Sequence, residues 1–316
     1  NFREVPDMAK TRRDYYTIVV VGVGGTGGEL VTTLAKYIYD KQTQANVYFD
    51  LAIIDGDRVE EKNCGRQQFI SEDIGMFKVD ALSMAISECL LDNGSNKAID
   101  VLSYAEYIDD VKQFDEVVDA SSRHMLFPCK QPTMYDNRRH IIILGCVDNH
   151  RARQTLDAYF YSKEFDINSK TDLLYIDSAN EFDFGTVVVG FKDCKGIQCP
   201  PRSFYFPEVL TSTEKKASEL SCGALNISSP QHYKTNKMAA NIIFSLLSNF
   251  IEYKEVFKGQ VYFDTRYCEV KRKPLDMFIS DLYNKYKCRT FPTLLKKLNK
   301  NKEKAREKEG GLIVKN

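Results

Sequence analysis

The sequence predicts an α/β fold: a Rossmann-like doubly wound sheet, mostly parallel, with a C-terminal antiparallel extension and a long crossover loop. Two observations carry this expectation. Apolar, β-branched runs alternate with helical periodicity through the first two thirds of the chain, the rhythm of helices packed on a parallel sheet. The first run, "YYTIVVVG", is continuously apolar, as a strand covered on both faces requires. It enters the glycine-rich turn "GVGGTGG" directly, and a helix follows.

That helix runs through "GELVTTLAKYIYDKQ", with Leu30, Leu34, Tyr37 and Ile38 on one face. "VYFDLAIIDGD" reads as the second strand. "SEDIGMFKVDALSMAISECLLD" reads as a helix opening on an N-cap serine with acids in its first turn. "AIDVLSYAEYI" is a further strand and loop, and residues 119–139 read as a loop or insertion. "HIIILGCVDN" is a buried strand with a polar end, followed by the helix "HRARQTLDAYFYSKEF". "DLLYIDSAN" and "GTVVVGF" are strands, and residues 192–230 read as a long crossover over the sheet. A strong helix, "PQHYKTNKMAANIIFSLLSNFIEYK", precedes "GQVYFDTRYCEVKRK", one or two strands. The division is then one nucleotide-binding domain over 1–272 and a basic helical extension or tail over 273–316.

Composition narrows the partners. Lys plus Arg equal Asp plus Glu at 44 each in 316 residues, so charge calls for neither nucleic acid nor membrane. No apolar run is long enough to cross a bilayer, and the charged N-terminus lacks the apolar centre of a secretory signal. Nine cysteines, odd in number and irregular in spacing, suit reduced thiols and a cytoplasmic location better than a disulfide framework. Cys89 and Cys146 sit in apolar surroundings and read as small core residues; Cys64 reads as a packing residue.

The chemistry concentrates in three places. Gly22, Gly24, Gly25 and Gly27 form a GxGGxG pattern between strand and helix, where missing Cβ atoms and free helix N–H groups suit a phosphate. After the second strand, "IIDGDRVEEKNCGRQQF" gathers Asp55, Asp57, Asn63, Arg66 and Gln67, with Lys78 soon after. One acid can hold a ribose, but a dehydrogenase has no use for Arg66 and Lys78 near the phosphates. A reaction that splits a triphosphate does, because fixed cations neutralise the departing pyrophosphate. "GCVDNHRAR" ends a buried strand with Asp148, placed to hold a Mg²⁺ or to cap the next helix; Asn149 is an equally good cap.

"GVGGTG", "DGDRVEEKNCGRQ", "DIGMFK" and "CVDN" stand in the order and spacing of the ThiF/MoeB/HesA superfamily, which includes the ubiquitin-activating enzymes. The chain resembles that superfamily firmly over 15–190 and more loosely over 220–250. Within it, the chain looks most like the ThiF-type proteins of PRTRC systems. The resemblance implies an ATP-dependent adenylyltransferase, activating the C-terminal carboxylate of a small ubiquitin-like or sulfur-carrier protein. It implies that the four glycines line the nucleotide, Asp55 holds the ribose and Asp148 holds Mg²⁺. Asn63, Arg66, Gln67 and Lys78 would meet phosphates. Relatives often borrow an N-terminal arginine from a second subunit, so Arg12 or Arg13 and a homodimer are implied as well.

The cysteines depart from the family pattern. Relatives often bind Zn²⁺ through two CxxC pairs, and this sequence has neither; Cys194, Cys199, Cys222 and Cys268 are the conceivable ligands. Cys222, Cys199 and Cys194 are also the candidates for a nucleophile that takes over the activated carrier. His124, His140, His150 and His232 show no metal-ligand spacing. Two other substrates remain open on the same fold, a peptide carboxylate or one borne on tRNA. An NAD-binding oxidoreductase and a non-catalytic scaffold are the readings from other classes.

Overall fold

The computed structural model describes residues 11–41, 46–91, 100–123, 135–214 and 232–287, together with 291, 293, 294, 296, 297 and 300. Its strands are β1 (Thr11–Val21), β2 (Val47–Ile54), β3 (Val101–Tyr104), β4 (Tyr135–Gly145), β5 (Thr171–Asn180), β6 (Phe184–Asp193), β7 (Gly196–Cys199), β8 (Gly259–Asp264) and β9 (Glu269–Pro274). The helices are α1 (Gly25–Lys41), α2 (Glu61–Cys64), α3 (Lys78–Leu91), α4 (Val111–Ser121), α5 (His150–Ser162), α6 (Arg202–Tyr205), α7 (Glu208–Thr211), α8 (Tyr233–Tyr253) and α9 (Leu275–Tyr286).

The strands form one sheet in the order β3-β2-β1-β4-β5-β6-β8-β9, with β7 paired to β6. The first five are parallel, and β6, β8 and β9 continue the sheet antiparallel. Strand alternation sorts the apolar side chains between two faces. Tyr16, Ile18 and Val20 of β1 join Leu30, Leu34, Val79, Ile243 and Leu247 under α1, α3 and α8. Val19 and Val21 join Phe114, Val118, Leu156 and Phe160 under α4 and α5. Both faces of β1 are therefore dry, which is why its sequence is apolar without alternation. Chain order reverses between β1 and β4, and this opens a crevice at their carboxyl ends.

Several boundaries differ from the sequence expectation. Ser71 does not cap α3: Ser71–Asp73 is a single 3₁₀ turn, and the helix starts at Lys78. Gly75, at φ +91°, breaks the run, and the Arg58–Phe77 bridge pulls the segment back towards β2. β4 begins at Tyr135, inside the stretch read as loop, and α4 reaches Ser121. The start of the crossover is ordered: β7 pairs back on β6, and α6 and α7 follow. In the C-terminal extension, Leu275 and Ile279 of α9 pack with Cys199, Phe291 and Leu294 in a third apolar cluster. Cys89 is exposed rather than in the core.

At the amino ends of the strands, buried His140 ties three of them together. Its Nδ1 lies 2.9 Å from the Asp172 carboxylate and its Nε2 3.2 Å from Asp14, and its ring stacks on Tyr16. Burial alone would lower the imidazole pKa, but the two carboxylates outweigh it and raise it above the ordinary 6.5. The folded state thus holds a proton that the unfolded chain releases near neutrality. His140 contributes stability that is fully present below the unfolded value and is lost as pH rises through the folded one. Denaturant unfolding should show the native chain losing stability as pH rises above the ordinary imidazole value of 6.5, and His140→Gln should flatten that slope. An unaltered slope in the variant would refute the assignment.

Candidate active site

The crevice between β1 and β4 is the mouth of a cleft of about 1270 Å³, counted out to solvent. Four strand ends and the start of α8 wall it. Gly22, Gly24 and Gly25 come from the turn after β1, Asp55 and Asp57 from the end of β2, and Cys146 to Asn149 from the end of β4. Ser178 and Asn180 end β5, and Asn236 comes from α8.

The glycine turn is a self-packed unit. Gly22 sits at φ +86°, and a Cβ there would lie 2.8 Å from the Cys146 carbonyl oxygen. A Cβ on Gly27 would lie 1.8 Å from the Gly22 oxygen, so helix and turn meet backbone to backbone. Gly27 is thus a packing position and does not line the cleft, contrary to the expectation for it. The turn is braced from β2: Asp55 Oδ2 accepts the Val23 N–H at 2.8 Å, and its Oδ1 accepts the Asp57 N–H at 2.9 Å. Thr26, Asn180 and Asn236 close the other side, Asn180 donating to Thr26 at 2.8 Å and Thr26 to Asn236 at 3.2 Å.

The charged residues meet across this turn. Lys78 is buried at the first position of α3, its Nζ 2.6 Å from Asp57 Oδ2. Its own N–H donates to the Asp57 carbonyl, which fixes the helix start against the loop. Burial disfavours the ammonium, but Asp55, Asp57 and Asp148 together raise the Lys78 pKa, so it stays protonated. Burial raises Asp55. For Asp57, burial is outweighed by the Lys78 charge and by hydrogen bonds from Lys78 and Tyr107, which lower it. Arg66 and Gln67 face the cleft, and the buried Gln67 Oε1 has no partner among the described residues. Asn63, expected on the phosphates, stands behind the wall instead: it is 3 % exposed and its Oδ1 accepts the Glu60 N–H at 2.8 Å. Its carbonyl receives the Arg66 and Gln67 N–H groups, so it turns those two side chains towards the opening.

Asn149, not Asp148, caps α5, accepting the Ala152 N–H at 2.8 Å. The exposed Asp148 carboxylate is left facing the cleft. A single carboxylate with several open positions suits Mg²⁺, which keeps waters and shares phosphate oxygens. A cage made of protein ligands alone is not offered: among the described residues no group of three His, Cys, Asp or Glu side chains could hold a metal. Cys194, Cys199 and Cys268 accordingly do not come together, and Cys222 lies outside the described residues. Cys199 is also unsuited as a nucleophile, being fully buried with its thiol pushed up to about 12, chiefly by desolvation. Arg12 and Arg13 belong to β1 at the end of the sheet opposite the cleft, Arg12 paired with Asp14 at 3.0 Å. Either arginine serves a cleft only if a second copy presents its own.

Sequence reasoning missed part of the wall. Tyr107, Glu106 and Asp109 follow β3, and Arg151, Asn180 and Asn236 complete the set. Asn180 was discoverable as the polar end of a buried strand. Asn236, inside a helix remote in sequence, and Tyr107 carried no signal.

Beneath the wall lies a buried ionic cluster. Arg153 donates to the Val147 and Ser178 carbonyls, linking the ends of β4 and β5, and sits 3.4 Å from Asp177. Arg202 of α6 binds the same carboxylate. Replacing Arg153 by Met should cost about 3–5 kcal/mol in denaturant unfolding, because Asp177 loses one of its two cationic neighbours and two carbonyls lose their donor. A loss below about 1 kcal/mol would show that the turn carrying Asp148 is held by other contacts.

Comparison with known proteins agrees with this architecture. Residues 2–171 match the model of the ThiF family. Among solved structures, the selenomethionine form of PaaA is similar at a TM-score of 0.50 and 15 % identity, over 82 % of this chain and 73 % of that one. MccB of E. coli is similar at a TM-score of 0.47 and 15 % identity, over 82 % of this chain and 62 % of MccB. No curated protein sequence matches. At that identity the structural likeness concerns the fold, whereas the family match spans more than half of the sequence and every motif around the cleft: the chain belongs to the ThiF family.

Proposed function

We propose that the chain is an ATP-dependent adenylyltransferase that activates a carboxylate as its acyl-adenylate. The carboxylate is best read as the C-terminus of a small ubiquitin-like or sulfur-carrier protein. The observation that carries the reading is the opposition of charges in one cleft: protonated Lys78 and Arg66 on one side of the glycine turn, the Asp148 carboxylate on the other. A hydride-transfer site has no pyrophosphate to neutralise, so this pairing favours triphosphate cleavage over an oxidoreductase.

In the reaction, an oxygen of the substrate carboxylate attacks the α-phosphorus as the bond to the pyrophosphate oxygen breaks. The electron pair leaves with pyrophosphate, where Lys78 and Arg66 meet the growing charge. No covalent group of the protein is needed; orientation and fixed charge suffice. Backbone N–H groups of the glycine turn hold phosphate oxygens, and the ribose lies towards Asp55 and Asp57. Asp148 would hold Mg²⁺, which supplies charge neutralisation between phosphate oxygens. Membership of the ThiF family supports ATP as the nucleotide. A homodimer, a cytoplasmic setting and the PRTRC subgroup belong to the same reading. Among the described residues no helix is long and apolar enough to cross a membrane.

Isotope exchange between ATP and pyrophosphate tests the proposal, run with candidate carriers ending in Gly-Gly. Carrier-dependent exchange should fall by about 10²–10³ in Asp148→Ala and in Arg66→Ala. Undiminished exchange in both variants would remove the site assignment, and NAD binding without exchange would favour the oxidoreductase.

A further inference from the structure

We propose that Tyr107 is a positioning residue for Lys78, acting through Asp57; this rests on the adenylation reading, in which Lys78 meets the β- and γ-phosphates. The Tyr107 hydroxyl donates to Asp57 Oδ1 at 2.5 Å, while Lys78 Nζ donates to Asp57 Oδ2 at 2.6 Å. One carboxylate is thus gripped at both oxygens, by a phenol and by an ammonium. Its plane cannot rotate without breaking one of the two bonds, and the direction of that plane sets where the ammonium stands in the cleft.

The hydroxyl is not needed to hold its own loop. Gln113 of α4 does that, its side-chain amide donating to Glu106 at 2.8 Å and to the Tyr107 carbonyl at 2.9 Å. The same side chain accepts the Asp109 N–H at 3.0 Å, and Asp110 caps α4. The ring is held separately, lying on Gly56, where a Cβ would come within 2.6 Å of it. With loop and ring fixed by other contacts, the phenol oxygen is a preset anchor for Asp57. Among the described residues, Tyr107 is also the one aromatic side chain lining the cleft.

Calorimetric binding of magnesium ATP and of AMP separates this role from a structural one, since AMP lacks the phosphates that Lys78 meets. Tyr107→Phe should weaken ATP about fivefold and AMP by less than about twofold, with Lys78→Ala weakening ATP more strongly. Added to Asp57→Asn, the Tyr107→Phe change should have little further effect, as expected of two members of one chain of contacts. The proposal is overturned if Tyr107→Phe leaves ATP affinity intact, or weakens ATP and AMP alike, while Lys78→Ala weakens ATP alone. A large drop in melting temperature for Tyr107→Phe overturns it too, by assigning the hydroxyl to folding. Should Lys78→Ala itself leave ATP affinity unchanged, the parent reading of the site fails, and this inference with it.

Discussion

A single carboxylate organises the cleft. Asp55 leaves β2 between two segments, and each of its oxygens takes a backbone N–H from one of them. One bond holds the glycine turn at Val23; the other holds the loop at Asp57, from which Lys78 is positioned. In the proposed reading, the remaining lone pairs of Asp55 accept ribose hydroxyls. The glycine turn packs closely enough against α1 and Cys146 that it has no freedom to adapt. In the adenylation reading the nucleotide meets a turn whose backbone is already set, which is what positional catalysis demands.

Charge is the second theme. Three acids stand near one buried lysine; they keep the ammonium protonated and Asp57 is lowered against it, while burial raises Asp55. Such an arrangement is costly in isolation, because each ion is desolvated. It becomes intelligible where a polyanion is expected, as the adenylation reading has it. The Arg153–Asp177–Arg202 cluster beneath plays a different part. It joins β4, β5, α5 and the start of the crossover, its guanidinium groups donating to the carbonyls of Val147, Ser178, Asp177 and Thr186.

Much of this was legible in the sequence because parallel sheets buried on both faces write themselves as apolar runs, and β1, β2, β4 and β5 are such runs. The charged set after β2 was legible because it follows a strand end within one loop. Asn63 was placed on the wrong side of the wall: its spacing marks it, but only the fold shows that its oxygen serves Glu60 and its carbonyl serves Arg66 and Gln67. Gly27 was misplaced for a similar reason, since a glycine needed for close packing reads the same as one that admits a phosphate. Tyr107 and Asn236 reach the cleft from elements far along the chain, and no local pattern encodes that proximity. The ordered start of the crossover escaped notice because β7, α6 and α7 are four residues each, too short to show a period.

The triphosphate of ATP is proposed to lie on the glycine turn between Lys78 and Asp148. A crystal structure of the chain with ATP and magnesium tests it most directly. It should show phosphate oxygens on the backbone N–H groups after Gly22, the ribose towards Asp55 and Asp57, and the metal against Asp148. Density for the triphosphate elsewhere, or phosphates out of reach of both Lys78 and Arg66, would contradict it.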